Sequence, residues 1–472
     1  MDIILGRLVV FLTILYVGFV HGIINEADFK RPDILDYDVC VIGGGSAGTY
    51  AAIRLRDSKK TVAVVETKDR LGGHTETWQD PASGAKVDIG VIVFHNKQFV
   101  KDYFGRFAIP LSVIDFSSPG VTTQYVDFST GKVVPGYTPP DPSAALAAYG
   151  AQLAKYPYLA KSLDSVPNPV PADLLLTFGA FVKKYKLEDG VSLFASYGQG
   201  FGDILNLPTL YIVKYFSPDL LADFQLGSLS TTRNDNSELY EKAQAELGKD
   251  ALLSSSVIGI DRSNPSRVKL LVKTPTGKKL IRAKKIISTI PPVLNNLHGF
   301  DLDKDELSIF KRFRAHGYYV GVLNNSGIPD NLNLNNIGAK TPYNLPVLPA
   351  AYGISPTRAP GQHLFQFGTK TNQVLSNDEV KAEIVASLNR LRAAGTLPKS
   401  SGATPGYSIF SNHSPYEVYV SAAQISKAFY SKLFALQGKK NTFWTGAAFV
   451  THDSTMIWEY TETLIAKIVA SL

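Results

Sequence analysis

Three glycines in the N-terminal part of the chain have the spacing of a nucleotide-binding loop. Gly43, Gly45 and Gly48 form G-x-G-x-x-G directly after a Val- and Ile-rich run at residues 37–42, which predicts a buried parallel strand. The first glycine makes the tight turn, the second lets a pyrophosphate approach the backbone, and the third lets a helix pack on the strand. Free N–H groups at the start of that helix then face the phosphates. This pattern predicts a dinucleotide cofactor.

The segments that follow the loop fit the same interpretation. Small and apolar residues recur at helical spacing over residues 46–56, and a second strand is expected over residues 61–65. That strand is followed by Glu66, whose carboxylate can accept hydrogen bonds from a ribose 2′-OH. The alternative is an ordinary glycine turn, but such a turn does not require a strand, a helix and an acid in this order.

A second pair of glycines follows the second strand. Residues 69–75 read DRLGGHT, and Asp88-Ile89-Gly90 comes shortly afterwards. Together with GGGSAG and Glu66, these residues resemble the FAD-dependent amine oxidase superfamily. Within that superfamily the GGHT variant, the chain length and the N-terminal leader are most similar to the fungal β-cyclopiazonate dehydrogenase (oxidocyclase) family. A more distant resemblance is to bacterial polyunsaturated fatty acid isomerases.

The resemblance implies an α/β fold in which a Rossmann-like FAD-binding domain is interleaved with an α+β substrate-binding domain. The FAD-binding domain would comprise residues 23–95, 236–300 and 431–472. The substrate-binding domain would comprise residues 96–235 and 301–430. Short strands are expected at 256–261, 268–274, 279–283 and 285–290, and a terminal helix in the last block. A glycine-rich loop at 197–202, YGQGFG, is expected near the flavin ring.

The same resemblance assigns residues to the cofactor. The family usually places an acid two residues after the last of its motif glycines, and this chain has Ala448 there, so that backbone N–H groups or another side chain must replace it. No second G-x-G-x-x-G occurs, which weighs against a second nucleotide cofactor. The residues expected to bind FAD are Gly43, Gly45, Ser46, Ala47, Gly48, Glu66, Arg70, Gly72, Gly73, His74, Val257 and Gly446.

The sequence does not single out a catalytic base. Oxidation by a flavin needs a group that takes the accompanying proton, and the candidates are His95, His74, Tyr416 and Tyr419. Trp444, with the two tyrosines, is a candidate for an aromatic wall of the flavin site. The alternative for each of them is a packing or surface residue. The single cysteine, Cys40, lies in the first strand, so a cysteinyl flavin link near the closing segment is excluded.

Composition excludes several classes of function. The chain has 472 residues, 45% of them hydrophobic, which is ample for a core and an apolar pocket. Its net charge of +7 comes from scattered lysine pairs without a basic stripe, so no nucleic-acid partner is expected. No His or Cys pair has metal-ligand spacing, and no G-x-S-x-G elbow is present, so neither a metal site nor a hydrolase is predicted.

The N-terminus predicts a route out of the cytosol. Arg7, the apolar stretch at 8–20 and small residues near position 22 have the form of a cleavable signal peptide over residues 1–22. An uncleaved membrane anchor is the alternative. Sequons at Asn324 and Asn412 are compatible with a secreted glycoprotein.

These observations lead to an expected function. The chain would carry out a two-electron oxidation, either dehydrogenation or oxidative cyclisation, of a hydrophobic small molecule in fungal secondary metabolism, with O2 as acceptor. One alternative is a flavin-dependent isomerase that returns the hydride to unsaturated fatty acids. Another is a non-catalytic binding protein with a flavoprotein fold.

Overall fold

The computed structural model describes residues 24–117, 119–399 and 404–472. The predicted signal peptide, residues 1–22, lies outside these ranges and stays a prediction. Within them, no helix combines the length and the apolar character needed to cross a membrane.

The described chain contains both helices and strands, with a run of six α-helices between residues 133 and 229. The helices are α1 Ser46–Asp57, α2 Gln98–Arg106, α3 Ser143–Leu153, α4 Ala172–Leu175, α5 Phe178–Tyr185, α6 Val191–Tyr197, α7 Thr209–Tyr215, α8 Pro218–Leu226, α9 Glu238–Leu247, α10 Lys304–Phe310, α11 Asn377–Ala393, α12 Ala422–Ile425, α13 Phe429–Phe434 and α14 Ser454–Ala470. The strands are β1 Ile34–Ile42, β2 Val62–Val65, β3 Thr77–Gln79, β4 Lys86–Asp88, β5 Leu111–Val113, β6 Thr122–Asp127, β7 Lys132–Val133, β8 Leu229–Thr231, β9 Ala251–Leu252, β10 Ser256–Asp261, β11 Val268–Thr274, β12 Gly277–Ser288, β13 Arg314–His316, β14 Tyr318–Asn324, β15 Leu332–Asn336, β16 Ala350–Pro356, β17 His363–Gly368, β18 Gly406–Asn412, β19 Tyr416–Tyr419 and β20 Thr442–Trp444.

One sheet carries the glycine loop at the end of its central strand. Its order is β10-β11-β12-β1-β2-β9, and β20 pairs with the end of β12. Strand β1 pairs in parallel with its neighbours β2 and β12, and β12 pairs in parallel with β20. This is the arrangement of a Rossmann-like sheet. Because β1 has neighbours on both edges and is covered on both faces, Val39, Cys40 and Val41 are fully buried.

The expectation of two strands at 279–283 and 285–290 is wrong. Residues Gly277–Ser288 form one strand, β12. Its parallel ladder with β1 runs from Leu280 to Ala283 and resumes after one residue, from Lys285 to Ser288. Lys284, between these two stretches, forms a 2.8 Å ion pair with Asp38 on the neighbouring strand. The long β12 thus connects the antiparallel ribbon of β10 and β11 to the centre of the sheet.

A second sheet is built from two segments that are distant in sequence. Its order is β18-β14-β17-β16-β15-β6-β7, and the two parts meet where β6 lies parallel to β15. The Asn- and Pro-rich stretch after Asn324 looks like loops in the sequence, yet it contains β15 and β16. The reason is tertiary pairing: β15 is hydrogen-bonded to a strand on each side, which overrides its low strand propensity.

The sequence predicts a helix at 378–393, from apolar residues at helical spacing, and a helical stretch at 172–185, and the two predictions have different outcomes. The helix expected at 378–393 is α11, and it starts with a capping box in which Ser376 Oγ accepts from the Glu379 N–H. The helical stretch expected at 172–185 is broken in two. Leu176 and Thr177 are extended between α4 and α5, and Thr177 caps α5 by accepting from the Ala180 N–H.

The terminal helix α14 packs against α1, the helix of the glycine loop. Trp458 Nε1 donates to the Ser46 carbonyl at 3.2 Å, and the Arg54 guanidinium pairs with Glu462 at 3.0 Å. The last block of the chain therefore supports the start of α1 directly. The domain limits given above stay a prediction.

Candidate active site

The first glycine loop has the backbone geometry that the motif requires. Gly43 has φ of +97°, which is a conformation for glycine, and its turn joins β1 to α1. At Gly48, a Cβ atom would lie 1.9 Å from the Gly43 carbonyl oxygen, so only glycine fits where the helix crosses the loop. Helix α1 begins at Ser46 without a side-chain cap at Gly45, which leaves its first N–H groups available to an anion.

The second glycine pair lies directly against the first loop. Gly72 has φ of +107° and forms an isolated β-bridge with Gly45. A Cβ on Gly73 would come within 2.8 Å of the Gly45 Cα atom. The two loops therefore form one surface without side chains, where backbone can approach a large ligand closely.

Glu66 connects these two loops. Its Oε2 atom accepts a 2.6 Å hydrogen bond from the Gly44 N–H, and Oε1 accepts from the Lys68 N–H at 2.8 Å. Thr67 Oγ1 also donates to Oε1 at 3.1 Å. Since a carboxylate offers about four acceptor positions, one remains for a ribose hydroxyl. Arg70 differs from its expected role, because its guanidinium donates to the Leu71 and Thr75 carbonyls and pairs with Glu76 at 2.7 Å. It holds the second glycine loop in place.

Three buried hydroxyl groups at the start of α1 have no hydrogen bond within the described residues. They are Ser46 Oγ, Thr75 Oγ1 and Tyr240 OH. Burial raises the pKa of Tyr240, and the nearby Ser46, Thr75 and Ser454 hydroxyls oppose that rise. A cluster of unused donors beside a glycine cradle suits a ligand that is rich in acceptor oxygens, such as a pyrophosphate. Thr75 and Tyr240 have no recognisable signal in the sequence.

Other predicted cofactor residues lie at the edges of the cradle. Ala47 is buried in the first turn of α1. Val257 is half-buried on β10, next to an irregularity in its pairing with β11. Gly446 has φ of +105°, and a Cβ there would lie 3.0 Å from the Thr289 carbonyl oxygen. Ala448 is buried in the turn after Gly446, so this turn can offer a ligand only its backbone.

A stack of aromatic rings stands beside the second glycine loop. The His74 ring lies 4.3 Å from His413 and 5.7 Å from Tyr416, and Tyr416 lies 4.0 Å from His452. Burial is the main cause that lowers the pKa of His74 to about 3, and Lys68 and Arg70 add to it. Burial also lowers the pKa values of His413 and His452 well below the ordinary range. The histidines of this stack are therefore neutral and poor proton acceptors.

Two of the other candidates are not at this stack. Trp444 is buried in β20 and packs against Phe300 and Phe310, which makes it a core residue. Tyr419 stacks on His316 at 4.9 Å and has no ring contact with the histidines of this stack among the described residues. Of the proposed aromatic wall, Tyr416 alone joins the ring stack.

His95 is held between two carboxylates. Its Nδ1 atom lies 2.5 Å from Asp223 Oδ2 on α8, and Nε2 lies 3.3 Å from Asp453 Oδ2, the N-cap residue of α14. Burial opposes protonation, but the charges of Asp453 and Asp223 outweigh it and raise the pKa of His95 to about 9. An imidazolium cannot accept a proton, so His95 is a structural cation that joins α8 to α14.

The stabilising effect of His95 should depend on pH. Because its pKa is raised from 6.5 to about 9, its contribution is complete below pH 6.5 and is lost as the pH rises through about 9. The difference corresponds to about 3 kcal/mol. We expect His95→Gln to lower the free energy of unfolding most at about pH 6 and least above about pH 9. Urea unfolding of both proteins across this range measures it, and a cost that does not change with pH would contradict the assignment.

A cavity of about 730 Å³ opens in the substrate-binding segments. Its wall is largely apolar and includes Ile204, Leu205, Leu345, Pro346, Val347 and Leu348, while its polar members include Asp203, Asn206, Thr341, Lys370 and Thr371. The loop at 197–202 separates it from the ring stack: a Cβ on Gly200 would meet the Tyr416 ring at 2.5 Å, and Gly202 lines the cavity. The expected position of this loop near the flavin ring stays a prediction.

Comparison with known families gives the same assignment. The model of the flavin containing amine oxidoreductase family matches residues 46–448 of this chain. The chain belongs to this family. The family and the named relatives establish FAD as the cofactor and an oxidoreductase as the enzyme class.

Curated relatives cover nearly the whole chain. The FAD-dependent oxidoreductase oblC of Cochliobolus heterostrophus is 40% identical over 95% of this chain and 94% of its own length. The β-cyclopiazonate dehydrogenase of Aspergillus oryzae is 34% identical over 97% of both chains. Among solved structures, a fatty acid isomerase from P. acnes has a TM-score of 0.71 at 19% identity, covering 91% of this chain and 98% of its own. Cyclohexylamine oxidase from Brevibacterium oxydans has a TM-score of 0.63 at 16% identity, with 92% and 99% covered. Both structures have the same fold as this chain.

The residues present fit FAD. The paired glycine loops, the carboxylate of Glu66 and the unused hydroxyls of Ser46, Thr75 and Tyr240 would hold its dinucleotide part. When bound, FAD supplies a two-electron acceptor for hydride. The ring stack and the cavity of about 730 Å³ are the parts of the protein that would exclude water and orient a small-molecule substrate. No group of three or more metal-ligating side chains occurs in the part of the chain that the structure describes.

Proposed function

We propose that this oxidoreductase dehydrogenates, or oxidatively cyclises, a hydrophobic small molecule in fungal secondary metabolism, with O2 as electron acceptor. The observation that carries this proposal is the apolar cavity of about 730 Å³ beside the ring stack. Such a volume lies within the range of sites for drug-sized ligands. The printed names of the fungal relatives, in particular β-cyclopiazonate dehydrogenase, support a substrate of this class.

The isomerase alternative has less support. The fatty acid isomerase is similar in fold alone, at 19% identity, whereas relatives at 34–40% identity are named oxidoreductases or a dehydrogenase. The paired glycine loops and Glu66 are intact, which disfavours a binding protein that has lost its cofactor.

The visible spectrum of the purified protein tests the proposal. We expect flavin absorption that moves to the supernatant on acid precipitation, bleaching by an apolar substrate without oxygen, and recovery with peroxide when air is admitted. Turnover without net peroxide would support the isomerase. A protein that neither contains nor takes up FAD would overturn both.

We also propose that the chain enters the secretory route, on the basis of residues 1–22 and the two sequons. Asn412 is exposed, and its Nδ2 atom donates to Asn377 Oδ1 at 2.9 Å. Asn324 is less accessible, and its Nδ2 atom donates to Ser408 Oγ at 2.9 Å. A loss of mass on endoglycosidase treatment of the protein from a fungal host, and an N-terminus near residue 23, would support the proposal. An intact Met1 and an unchanged mass would contradict it.

A further inference from the structure

Glu417 lies on β19 beside the ring stack and was not a candidate from the sequence. Its backbone is in the left-handed region, with φ of +42°, which is unusual for a residue other than glycine. Its N–H donates a 2.9 Å hydrogen bond to His452 Nε2, and this bond fixes the residue next to the stack. Local backbone strain of this kind is found preferentially at functional sites.

One oxygen of the Glu417 carboxyl group is buried without a hydrogen bond to any described residue. The residue is 5% exposed, and its Oε1 atom has no hydrogen bond within the described residues. The titratable groups around it are Tyr211, Tyr215, Tyr416, Tyr430, His316 and His452. Burial lowers the pKa of His316 to about 4, so neither histidine supplies a positive charge at neutral pH.

This burial changes the proton affinity of the carboxyl group. It raises the pKa of Glu417 from 4.5 to about 8, against a smaller opposing effect of the His452 backbone N–H on the carboxyl group. At neutral pH the carboxyl group is therefore mostly protonated, and it is about half-ionised near pH 8. A proton acceptor works best when its pKa lies near the working pH.

Glu417 also lies between the cofactor-binding segments and the substrate cavity. Strand β19 packs against the Ala447–Phe449 turn that follows Gly446. The adjacent ring of Tyr416 contacts His452 on one side and the Gly200 loop on the other, and that loop leads to the cavity. A substrate that extends from the cavity past this loop to the ring stack would reach the strand that carries Glu417.

We propose that the Glu417 carboxylate accepts the proton that a substrate releases when it is oxidised. The inference rests on the proposed function, since it requires a substrate that loses both a hydride and a proton. The hydride takes two electrons from the breaking C–H bond to FAD, which is reduced. The proton from an adjacent N–H, O–H or C–H bond forms the O–H bond of the Glu417 carboxylic acid, and it passes later to solvent.

The first test needs no substrate. Infrared difference spectra of the FAD-loaded protein, recorded between about pH 6 and pH 10, report the C=O stretching band of a buried carboxylic acid. We expect one such band to disappear near pH 8 in the wild type. It should be missing in Glu417→Gln and retained in the matched control Glu241→Gln, which makes the same change at an exposed position on α9.

The second test uses the apolar compound that bleaches the flavin absorption most rapidly in the visible-spectrum experiment described above. Loss of a general base usually costs a factor of about 10² to 10⁴. We expect Glu417→Gln to slow anaerobic bleaching by this factor and to abolish the rise in bleaching rate with pH near 8. The FAD content of Glu417→Gln should equal that of the wild type. The control Glu241→Gln should have the wild-type bleaching rate and pH profile.

Two results would overturn the inference. One is the absence of a titrating carboxylic acid band that depends on Glu417. The other is a Glu417→Gln protein that retains FAD, the wild-type bleaching rate and its pH profile. Both leave the proposed function intact if the wild type is still bleached and reoxidised, so failure of the two proposals can be told apart.

Discussion

Gly48→Ala is expected to remove FAD from the purified protein. The new Cβ would lie 1.9 Å from the Gly43 carbonyl oxygen, a backbone atom that no side-chain rotation can move. Helix α1 must then separate from the end of β1, which displaces the N–H groups that face the phosphates. We expect FAD affinity to fall about 100-fold, equivalent to about 3 kcal/mol, the upper part of the range for overpacking.

Reconstitution of the apoprotein with FAD, followed by quenching of flavin fluorescence, measures this change. Gly105→Ala is the matched control, because Gly105 lies in α2 and a Cβ there has no neighbour within 4 Å. That change should leave FAD affinity unaltered and favour the helix by up to about 1 kcal/mol. A Gly48→Ala protein with wild-type flavin content would refute the assigned role of the loop.

Arg262→Met is expected to destabilise the sheet at the junction of its distant segments. The Arg262 side chain is fully buried after β10, where Nη1 and Nη2 pair with the Glu306 carboxylate at 2.7 and 2.8 Å and Nε bonds to Asp301. Nη1 also donates to Thr442 Oγ1 on β20 at 3.3 Å. Removing the cation leaves Glu306 as a buried, uncompensated charge, which costs about 3–5 kcal/mol.

Urea unfolding of the FAD-loaded protein measures that loss of stability. Arg267→Met is the control, since Arg267 is about half exposed and pairs with Asp36 only at 3.4 Å. Such a surface pair contributes less than about 1 kcal/mol. The double variant Arg262→Met with Glu306→Leu should recover part of the stability, because the unpaired charge is then gone. A cost for Arg262→Met as small as that of the control would show that the buried pair is not required.

The cofactor-binding part of this protein could be predicted because its signals are local. Gly43, Gly45, Gly48 and Glu66 fall within one β-α-β unit, where sequence spacing nearly fixes spatial position. The terminal helix and α11 were also predictable, since apolar residues at helical spacing and a capping serine occur within a single segment.

The catalytic candidates show what local sequence signals cannot predict. The sequence gives His95, Trp444 and Tyr419 the same standing as Tyr416, but the structure places only Tyr416 in the ring stack. His95 becomes a cation because Asp223 and Asp453, which lie 128 and 358 positions further along the chain, converge on it. No spacing rule relates residues that tertiary packing brings together.

The sequence by itself determined the family, the FAD cofactor and the β-α-β unit that begins with β1, because backbone constraints at glycines and at an acid act over a few residues. Only the tertiary structure decided the protonation states of His74, His95 and Glu417. A protonation state depends on burial and on charges supplied by distant segments. Two side chains of the same type can therefore have different protonation states in one protein. The same long-range packing shapes the substrate cavity, so substrate recognition is a property of the folded chain.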